Sequence, residues 1–218
     1  TAPSLALAED HGADEIELDI RLSSDGVPVV IHDATLARIT DGRREDPVVE
    51  RTWAELQQVE LGDGARLLRF EEVLDLTRLP LQVELKAEGA AEVVAGVLDG
   101  READQPRCTI TSFQRDYLIK AGETMPWADR GFIVFGYDDE ALDQAVGLGV
   151  QTLYTGWKGL TAEAVRRIHD HGLRAGGWPL NDQPRARQAV DLGVDAITAD
   201  DPRAAREWLD AARADVAA

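Results

Sequence analysis

Two carboxylates and an imidazole lie in one short stretch of the chain whose residue types suit chemistry. Glu17 and Asp19 are two residues apart in a predicted strand, so both side chains point to the same face. Two carboxylates on one face are costly unless water or a cation compensates their charge. The residues Ser-Ser-Asp-Gly after this strand predict a tight turn, which would return His32 towards the carboxylates. The pattern predicts a cation site beside a proton-transferring imidazole.

The turn decides how closely His32 approaches the acidic strand. If Asp25 and Gly26 form a two-residue loop, the hairpin register places Asp19 directly opposite His32. Opposite side chains on a hairpin share a face, with their Cβ atoms about 5 Å apart. Glu17 then lies diagonally near the imidazole. Since a slip of one residue turns alternate side chains to the other face, this geometry depends on the loop length.

A third carboxylate and a positive charge come from a second predicted strand, LQVELK. Glu84 and Lys86 share one face at the end of this strand, where β/α barrels carry their chemistry. Three carboxylates suit Mg²⁺ or Ca²⁺, which prefer oxygen ligands. Lys86 supplies a cation for an anionic substrate that the metal would also bind. The combination of metal, ammonium group and imidazole points to phosphate-ester chemistry.

The elements that must position these residues alternate regularly along the chain. Short apolar runs are separated by amphipathic stretches of roughly 9 to 14 residues, which predicts parallel strands joined by helices. The predicted strands cover residues 15–20, 81–86, 108–113, 131–135, 150–154, 173–178 and 195–198. The predicted helices cover residues 3–11, 70–77, 90–98, 115–121, 139–146, 161–171, 184–191 and 202–212.

Seven strands of this kind favour the α/β class and a TIM-type (β/α)8 barrel, which requires eight. The chain begins with a helix where a barrel begins with a strand, so we expect the first β-strand to lie upstream of Thr1. We expect residues 1–218 to form a single barrel domain with a short insertion near residues 40–66. A doubly wound open sheet is the alternative, although no G-x-G-x-x-G motif follows the first predicted strand.

Composition excludes several classes of partner. The 218 residues are 44% hydrophobic and carry a net charge of −18, typical of a globular protein but unfavourable for binding nucleic acid. The same charge argues against docking on anionic membranes. No apolar run approaches the ~20 residues that span a bilayer, so no stable membrane insertion is expected. Cys108 is the only cysteine, which excludes an internal disulfide.

Five segments resemble motifs of the glycerophosphodiester phosphodiesterase family, in the same order along the chain. Residues 12–42, GADEIELDIRLSSDGVPVVIHDATLARITDG, resemble the core signature of that family, and LQVELK resembles its next metal-binding strand. The segments TSF at 111–113, GGWPLND at 176–182 and GVDAITADDP at 193–202 are similar to later motifs. The resemblance covers nearly the whole chain.

The resemblance implies a β/α barrel that hydrolyses glycerophosphodiesters to an alcohol and glycerol 3-phosphate. It implies a divalent metal, Mg²⁺ or Ca²⁺, held by Glu17, Asp19 and Glu84. It also implies that His32 is a catalytic histidine and that Lys86 contacts the phosphate as a catalytic and substrate-binding residue. Trp178 would form an apolar wall near the glycerol or the leaving group.

One departure from the family concerns its first strand. That strand carries a His-Arg-Gly triplet, followed by a Pro-Glu-Asn segment, and neither is present here. The triplet would supply a second histidine and a phosphate-binding arginine, which we expect upstream of Thr1. The alternative is a non-catalytic or inactive barrel that binds a phosphorylated ligand. A third possibility is phosphodiester chemistry that releases a cyclic phosphate.

Overall fold

The computed structural model describes residues 1–217 and the side chains of residues 1–215. Backbone contacts divide the described chain into two compact units. The first unit contains residues 1–10 and 14–128, and the second contains residues 11–13 and the chain from Asp129 onward.

The first unit is built on a mixed sheet with the strand order β3-β2-β1-β4-β5. Its strands are β1 (Ile16–Leu22), β2 (Pro28–Val30), β3 (Leu68–Arg69), β4 (Leu81–Leu85) and β5 (Cys108–Ser112). Strands β1, β4 and β5 run parallel, whereas β2 and β3 are antiparallel additions to the edge of β1. The carboxyl ends of the three parallel strands therefore meet at one edge of the sheet.

The first unit contains five α-helices among its described residues. They are α1 (Ala2–Asp10), α2 (Trp53–Leu56), α3 (Phe70–Leu76), α4 (Ala90–Asp99) and α5 (Arg115–Thr124). Ile16, Leu18 and Ile20 of β1 are buried in a core that also contains Val83 and Val94. Each such side chain contributes about 1.5–3 kcal/mol when it leaves water. Because these apolar residues alternate with Glu17 and Asp19, their burial directs both carboxylates to the other face.

The hairpin between β1 and β2 differs from the predicted register by one residue. Ile20 pairs with Val30, and Asp19 lies opposite Ile31, whose N–H donates to the Asp19 carbonyl at 3.0 Å. The prediction that Asp19 lies directly opposite His32 is therefore wrong. The physical reason is a three-residue turn: Ser23 Oγ accepts the Val27 N–H at 2.9 Å, and Gly26 takes a positive φ.

A small separate core lies beneath the segment that follows β2. Val29 and Ile31 pack with residues from the long connection to β3, namely Leu36, Val48, Leu56, Val59 and Leu67. This connection contains two short 3₁₀ helices, Arg38–Thr40 and Val48–Glu50, besides α2. The polar stretch near residues 40–66 is thus folded around apolar residues of its own.

The second unit is built on parallel strands in the order β6-β7-β8-β9. These are β6 (Arg130–Gly136), β7 (Thr152–Lys158), β8 (Arg174–Trp178) and β9 (Ala196–Ile197). Its helices are α6 (Asp139–Leu148), α7 (Ala162–Asp170), α8 (Gln183–Leu192) and α9 (Pro202–Ala217). Helices α6 and α8 are each followed by a glycine in the left-handed conformation, Gly149 and Gly193, which favours helix termination.

Two glycines of β8 allow aromatic rings of β7 to pack against its backbone. A Cβ atom on Gly176 would lie 2.3 Å from Tyr154 Cδ1, and one on Gly177 would lie 2.7 Å from Trp157 Cη2. The Trp157 indole N–H donates to the Pro179 carbonyl at 2.6 Å. Because both glycines have no side chain, the rings of Tyr154 and Trp157 can pack directly against the backbone of β8.

Each of the seven predicted strands overlaps an observed strand, and each predicted helix overlaps an observed helix. Strand β3 and helix α2 were not predicted, because both are too short to show a hydrophobic period. Within the described residues, no helix is both long and apolar enough to cross a membrane.

Candidate active site

Three carboxylates converge near the carboxyl end of the parallel strands in the first unit. Single carboxylate oxygens of Glu17, Asp19 and Glu84 all lie within 4.8 Å of one another. The cluster forms because β1 and β4 pair in a register that sets Asp19 beside Glu84. Asp19 and Glu84 are buried, and Glu17 is half-buried. The three predicted metal ligands are thus brought together by the fold.

The cluster carries more negative charge than its surroundings compensate. Burial, followed by repulsion from Asp19 and Glu84, raises the pKa of Glu17 to about 8. Burial also raises the pKa of Glu84, although Lys86 favours its ionised form. An additional cation would relieve both effects, because it favours the charged form of each carboxylate.

Lys86 lies directly against this cluster. Its Nζ atom is 3.2 Å from Asp19 Oδ1 and 3.0 Å from Glu84 Oε1. The same ammonium group lies 5.8 Å from the centre of the Phe113 ring. Burial alone would lower the pKa of Lys86, but the charges of Asp19 and Glu84 outweigh it and raise the pKa above its usual value. Lys86 therefore stays protonated beside the acidic cluster.

His32 lies beyond the end of β2 and is held by an acidic neighbour. Its Nδ1 atom is 2.6 Å from Asp33 Oδ1, and 62% of its side chain is exposed. Asp33 also accepts two hydrogen bonds from Arg38, at 2.6 Å from Nε and 3.1 Å from Nη2. The hydrogen bonds from Arg38 have the largest effect on the pKa of Asp33, and the one from His32 has the next largest. Together they lower this pKa to about 2. A carboxylate that is ionised at neutral pH thus orients the imidazole through Nδ1, with Nε2 on the opposite side of the ring.

Arg21 joins the segment of His32 to the segment of Lys86. Its Nε donates to the His32 carbonyl at 2.9 Å, and its Nη1 donates to the Lys86 carbonyl at 3.3 Å. One guanidinium thus ties the chain after β2 to the chain after β4. This link places His32 at the same edge of the first unit as Lys86.

Three residues of this arrangement were not predicted: Arg21, Asp33 and Arg38. Arg21 had a signal, because it continues the alternation of Glu17 and Asp19 on β1. The sequence signal for Asp33 was weaker, because it consisted only of its position next to a candidate histidine. The contact of Arg38 depends on the fold of the connection after β2, which has no local pattern in the sequence.

Trp178 ends β8 in the second unit. Its ring centre lies 5.8 Å from that of Phe135, with the planes tilted by 57°. Phe135 is 80% exposed near the end of β6. The two rings form an apolar edge at the carboxyl ends of their strands. The predicted contact of Trp178 with glycerol or a leaving group stays a prediction.

Comparisons with known proteins agree with this architecture. Residues 1–204 match the sequence profile of the glycerophosphoryl diester phosphodiesterase family. The chain is 26% identical to a glycerophosphodiester phosphodiesterase of Caldanaerobacter subterraneus subsp. tengcongensis, over 93% of this chain and 88% of that protein.

Solved structures show the same similarity. An Oleispira antarctica phosphodiesterase in complex with the product sn-glycerol-3-phosphate matches with a TM-score of 0.87 and 25% identity, over 96% of this chain and 90% of that one. A glycerophosphodiester phosphodiesterase from Parabacteroides distasonis matches with a TM-score of 0.83 and 25% identity, over 98% and 90% of the two chains.

The similarities define the class of protein as a phosphoric diester hydrolase of the TIM-type (β/α)8 barrel fold, and they confirm the predicted fold class. Within that class, the chain belongs to the glycerophosphoryl diester phosphodiesterase family.

Proposed function

We propose that this protein hydrolyses glycerophosphodiesters to an alcohol and glycerol 3-phosphate, and that it requires a divalent cation to do so. The observation that carries the proposal is the convergence of Glu17, Asp19 and Glu84 on the paired parallel strands β1 and β4, with Asp19 and Glu84 buried. The similarity to a phosphodiesterase that binds sn-glycerol-3-phosphate supports the choice of substrate.

The donor atoms suit Mg²⁺ or Ca²⁺. Both ions prefer carboxylate oxygens, and three are available within 4.8 Å of one another. Lys86 is the only cation paired with Asp19 and Glu84 among the described residues, and one ammonium group does not balance even these two carboxylates. A bound cation of this kind supplies charge neutralisation for the phosphate oxygens.

Lys86 binds and stabilises the phosphoryl group in this proposal. Its ammonium group is protonated and held by Asp19 and Glu84 beside the cluster. A positioned cation of this kind stabilises charge that develops on the phosphoryl oxygens during the reaction. Holding the ammonium group in advance avoids reorganisation at the moment of reaction.

His32 transfers a proton through Nε2. Asp33 accepts the hydrogen bond of the Nδ1–H group, which selects the tautomer with a free Nε2. In that state His32 acts as a general base, and in its protonated state as a general acid. We also propose Trp178 as an apolar wall for the glycerol or the leaving alcohol, because its indole lies at a strand end beside the exposed Phe135.

An assay of glycerophosphocholine hydrolysis tests the proposal. The measured quantity is the release of choline and glycerol 3-phosphate. EDTA is expected to abolish turnover, and added Mg²⁺ or Ca²⁺ to restore it. Turnover that persists in EDTA contradicts the metal requirement, and a cyclic phosphate product contradicts hydrolysis.

The role of His32 has a separate test. His32→Ala is expected to lower kcat by about 10²–10⁴-fold, the contribution of a positioned acid–base group. His171→Ala is the matched control, because His171 is exposed after α7 and bonds the Arg167 carbonyl of its own helix. Equal kcat values for the two variants contradict the assignment.

A further inference from the structure

Thr111 is a buried polar residue that the mechanism above does not use. Its side chain is fully buried in β5, and among the described residues its Oγ1 atom has no hydrogen-bond partner. The next residue shows the usual behaviour, because Ser112 Oγ donates to the Leu85 carbonyl at 2.8 Å. A buried hydroxyl without a partner costs stability, so the Thr111 hydroxyl calls for a physical explanation.

The register of the sheet places Thr111 beside the acidic cluster. Thr111 pairs with Glu84 on the neighbouring strand β4, and Glu84 pairs with Asp19 on β1. Residues in register on adjacent strands share a face, with the strands about 4.8 Å apart. Phe113, two residues further, contacts Lys86 on that same face. Asp19, Glu84 and Thr111 therefore form one row across three strands.

Glu84 is the acceptor that this row offers. A carboxylate accepts up to about four hydrogen bonds, and Glu84 Oε1 is engaged by Lys86. Thr111 Oγ1 is buried, so a substrate in solvent does not reach it, whereas the Glu84 carboxylate is on the adjacent strand. The β-branched side chain is stiff about χ1, which keeps the hydroxyl in place.

We propose that Thr111 is a positioning residue whose hydroxyl donates a hydrogen bond to the Glu84 carboxylate when that carboxylate ligates a divalent cation. The inference rests on the proposed metal site. Carboxylates that bind metals are themselves held by hydrogen bonds from the surrounding protein, and these partners set their orientation. In the structure, Glu84 Oε1 lies 3.0 Å from Lys86 Nζ, and Thr111 Oγ1 has no partner among the described residues.

The test compares Thr111→Val, which removes the hydroxyl at nearly constant shape, with Thr111→Ser, which keeps it. Binding of Mg²⁺ is measured by calorimetry and of Mn²⁺ by electron paramagnetic resonance. The valine variant is expected to bind about 10- to 100-fold more weakly, the usual effect of losing such a partner. The serine variant is expected to bind as the wild type does. Thr109→Val is the control, since Thr109 lies on the same face of β5 but pairs with Gln82.

Thermal unfolding in EDTA gives a second measurement that does not depend on turnover. Thr111→Val is expected to keep or raise the Tm of the metal-free protein, because it removes an unpartnered buried hydroxyl. A lower Tm together with unchanged metal affinity would overturn the inference and assign Thr111 a packing role. Equal Mg²⁺ affinity in the valine variant and the wild type overturns this inference alone. Failure of the wild type to bind either ion overturns the metal site itself, and the inference with it.

Discussion

The Glu17 carboxyl is the group whose charge state responds most directly to a cation in the acidic cluster. Burial, followed by repulsion from Asp19 and Glu84, raises its pKa to about 8, which favours the protonated form in the neutral range. Ligation of a cation requires the carboxylate, so binding must release that proton.

Metal affinity is therefore expected to fall as pH is lowered from 8 to 6, by up to about tenfold per pH unit. The affinity falls at lower pH because the Glu17 carboxyl holds a proton before the metal binds and must lose it on binding. Calorimetry of Mg²⁺ binding at pH 7, in two buffers of different ionisation enthalpy, counts the protons released. Glu17→Gln is expected to bind Mg²⁺ more weakly and to release fewer protons per ion bound, because the amide has no proton to lose. The same affinity at pH 6 and pH 8 would contradict the raised pKa.

Asp33 sets the orientation of the His32 ring through its hydrogen bond with Nδ1. Asp33→Asn is expected to lower kcat by about 10- to 100-fold, a part of what a positioned acid–base group contributes. The reason is that an amide weakens both the acceptor for Nδ1–H and the ion pair with Arg38. KM for glycerophosphocholine is expected to change little, and steady-state kinetics separates the two constants. Asp41→Asn, at an exposed position further along the connection, is the control. An unchanged kcat would show that His32 needs no orientation by Asp33.

At the level of single residues, the sequence predicted which groups meet but not all of their contacts. Glu17 and Asp19 alternate with apolar residues, so their common face followed from the strand period alone. The contacts of Arg21 with two carbonyls depend on how separate segments approach each other. The contact of Asp33 with Arg38, five residues further on, depends on the irregular backbone after β2. No local pattern encodes those approaches.

Among the elements, the packing of β7 side chains against β8 requires glycine at positions 176 and 177. Gly176→Ala is expected to destabilise the protein by about 1–3 kcal/mol, because the new methyl group would overlap the Tyr154 ring. Urea unfolding measures the change in the free energy of unfolding.

A matched alanine substitution separates this overlap from the general effect of removing a glycine. Gly147 lies inside α6, and a Cβ atom there meets nothing within 4 Å. Gly147→Ala is therefore expected to stabilise the protein by about 0.5–1 kcal/mol. If both variants change stability in the same direction, the close packing of Tyr154 on β8 does not restrict position 176.

The β1–β2 hairpin shows where prediction of elements fails. The strands and the turn were correct, but the loop was taken to hold two residues and it holds three. Ser23 accounts for the difference, because its hydroxyl bonds both Asp25 and the Val27 backbone. A side-chain contact of this kind decides the loop length without changing the hydrophobic pattern on either side.

For the whole molecule, the dominant electrostatic feature is the net charge of −18. An excess of like charge opposes the compact state through self-repulsion, and salt screens that repulsion. The Tm in EDTA is therefore expected to rise when NaCl is increased from 20 to 200 mM. Choline chloride at equal ionic strength is expected to give the same increase, because screening does not depend on the cation. A fall in Tm with salt would mean that ion pairs outweigh the net repulsion.

The sequence by itself determined the order and type of the elements, because hydrophobic period, helix caps and turn residues act over a few neighbours. It also determined that Glu17 and Asp19 share one face of their strand and that Glu84 and Lys86 share one face of theirs, because side-chain direction follows from alternation along a strand. Only the tertiary structure decided the strand registers, the link from Arg21 to the carbonyls of His32 and Lys86, and the row that joins Thr111 to Glu84. The physical reason is that these depend on packing and hydrogen bonds between segments far apart in the chain, whose energies no single segment contains.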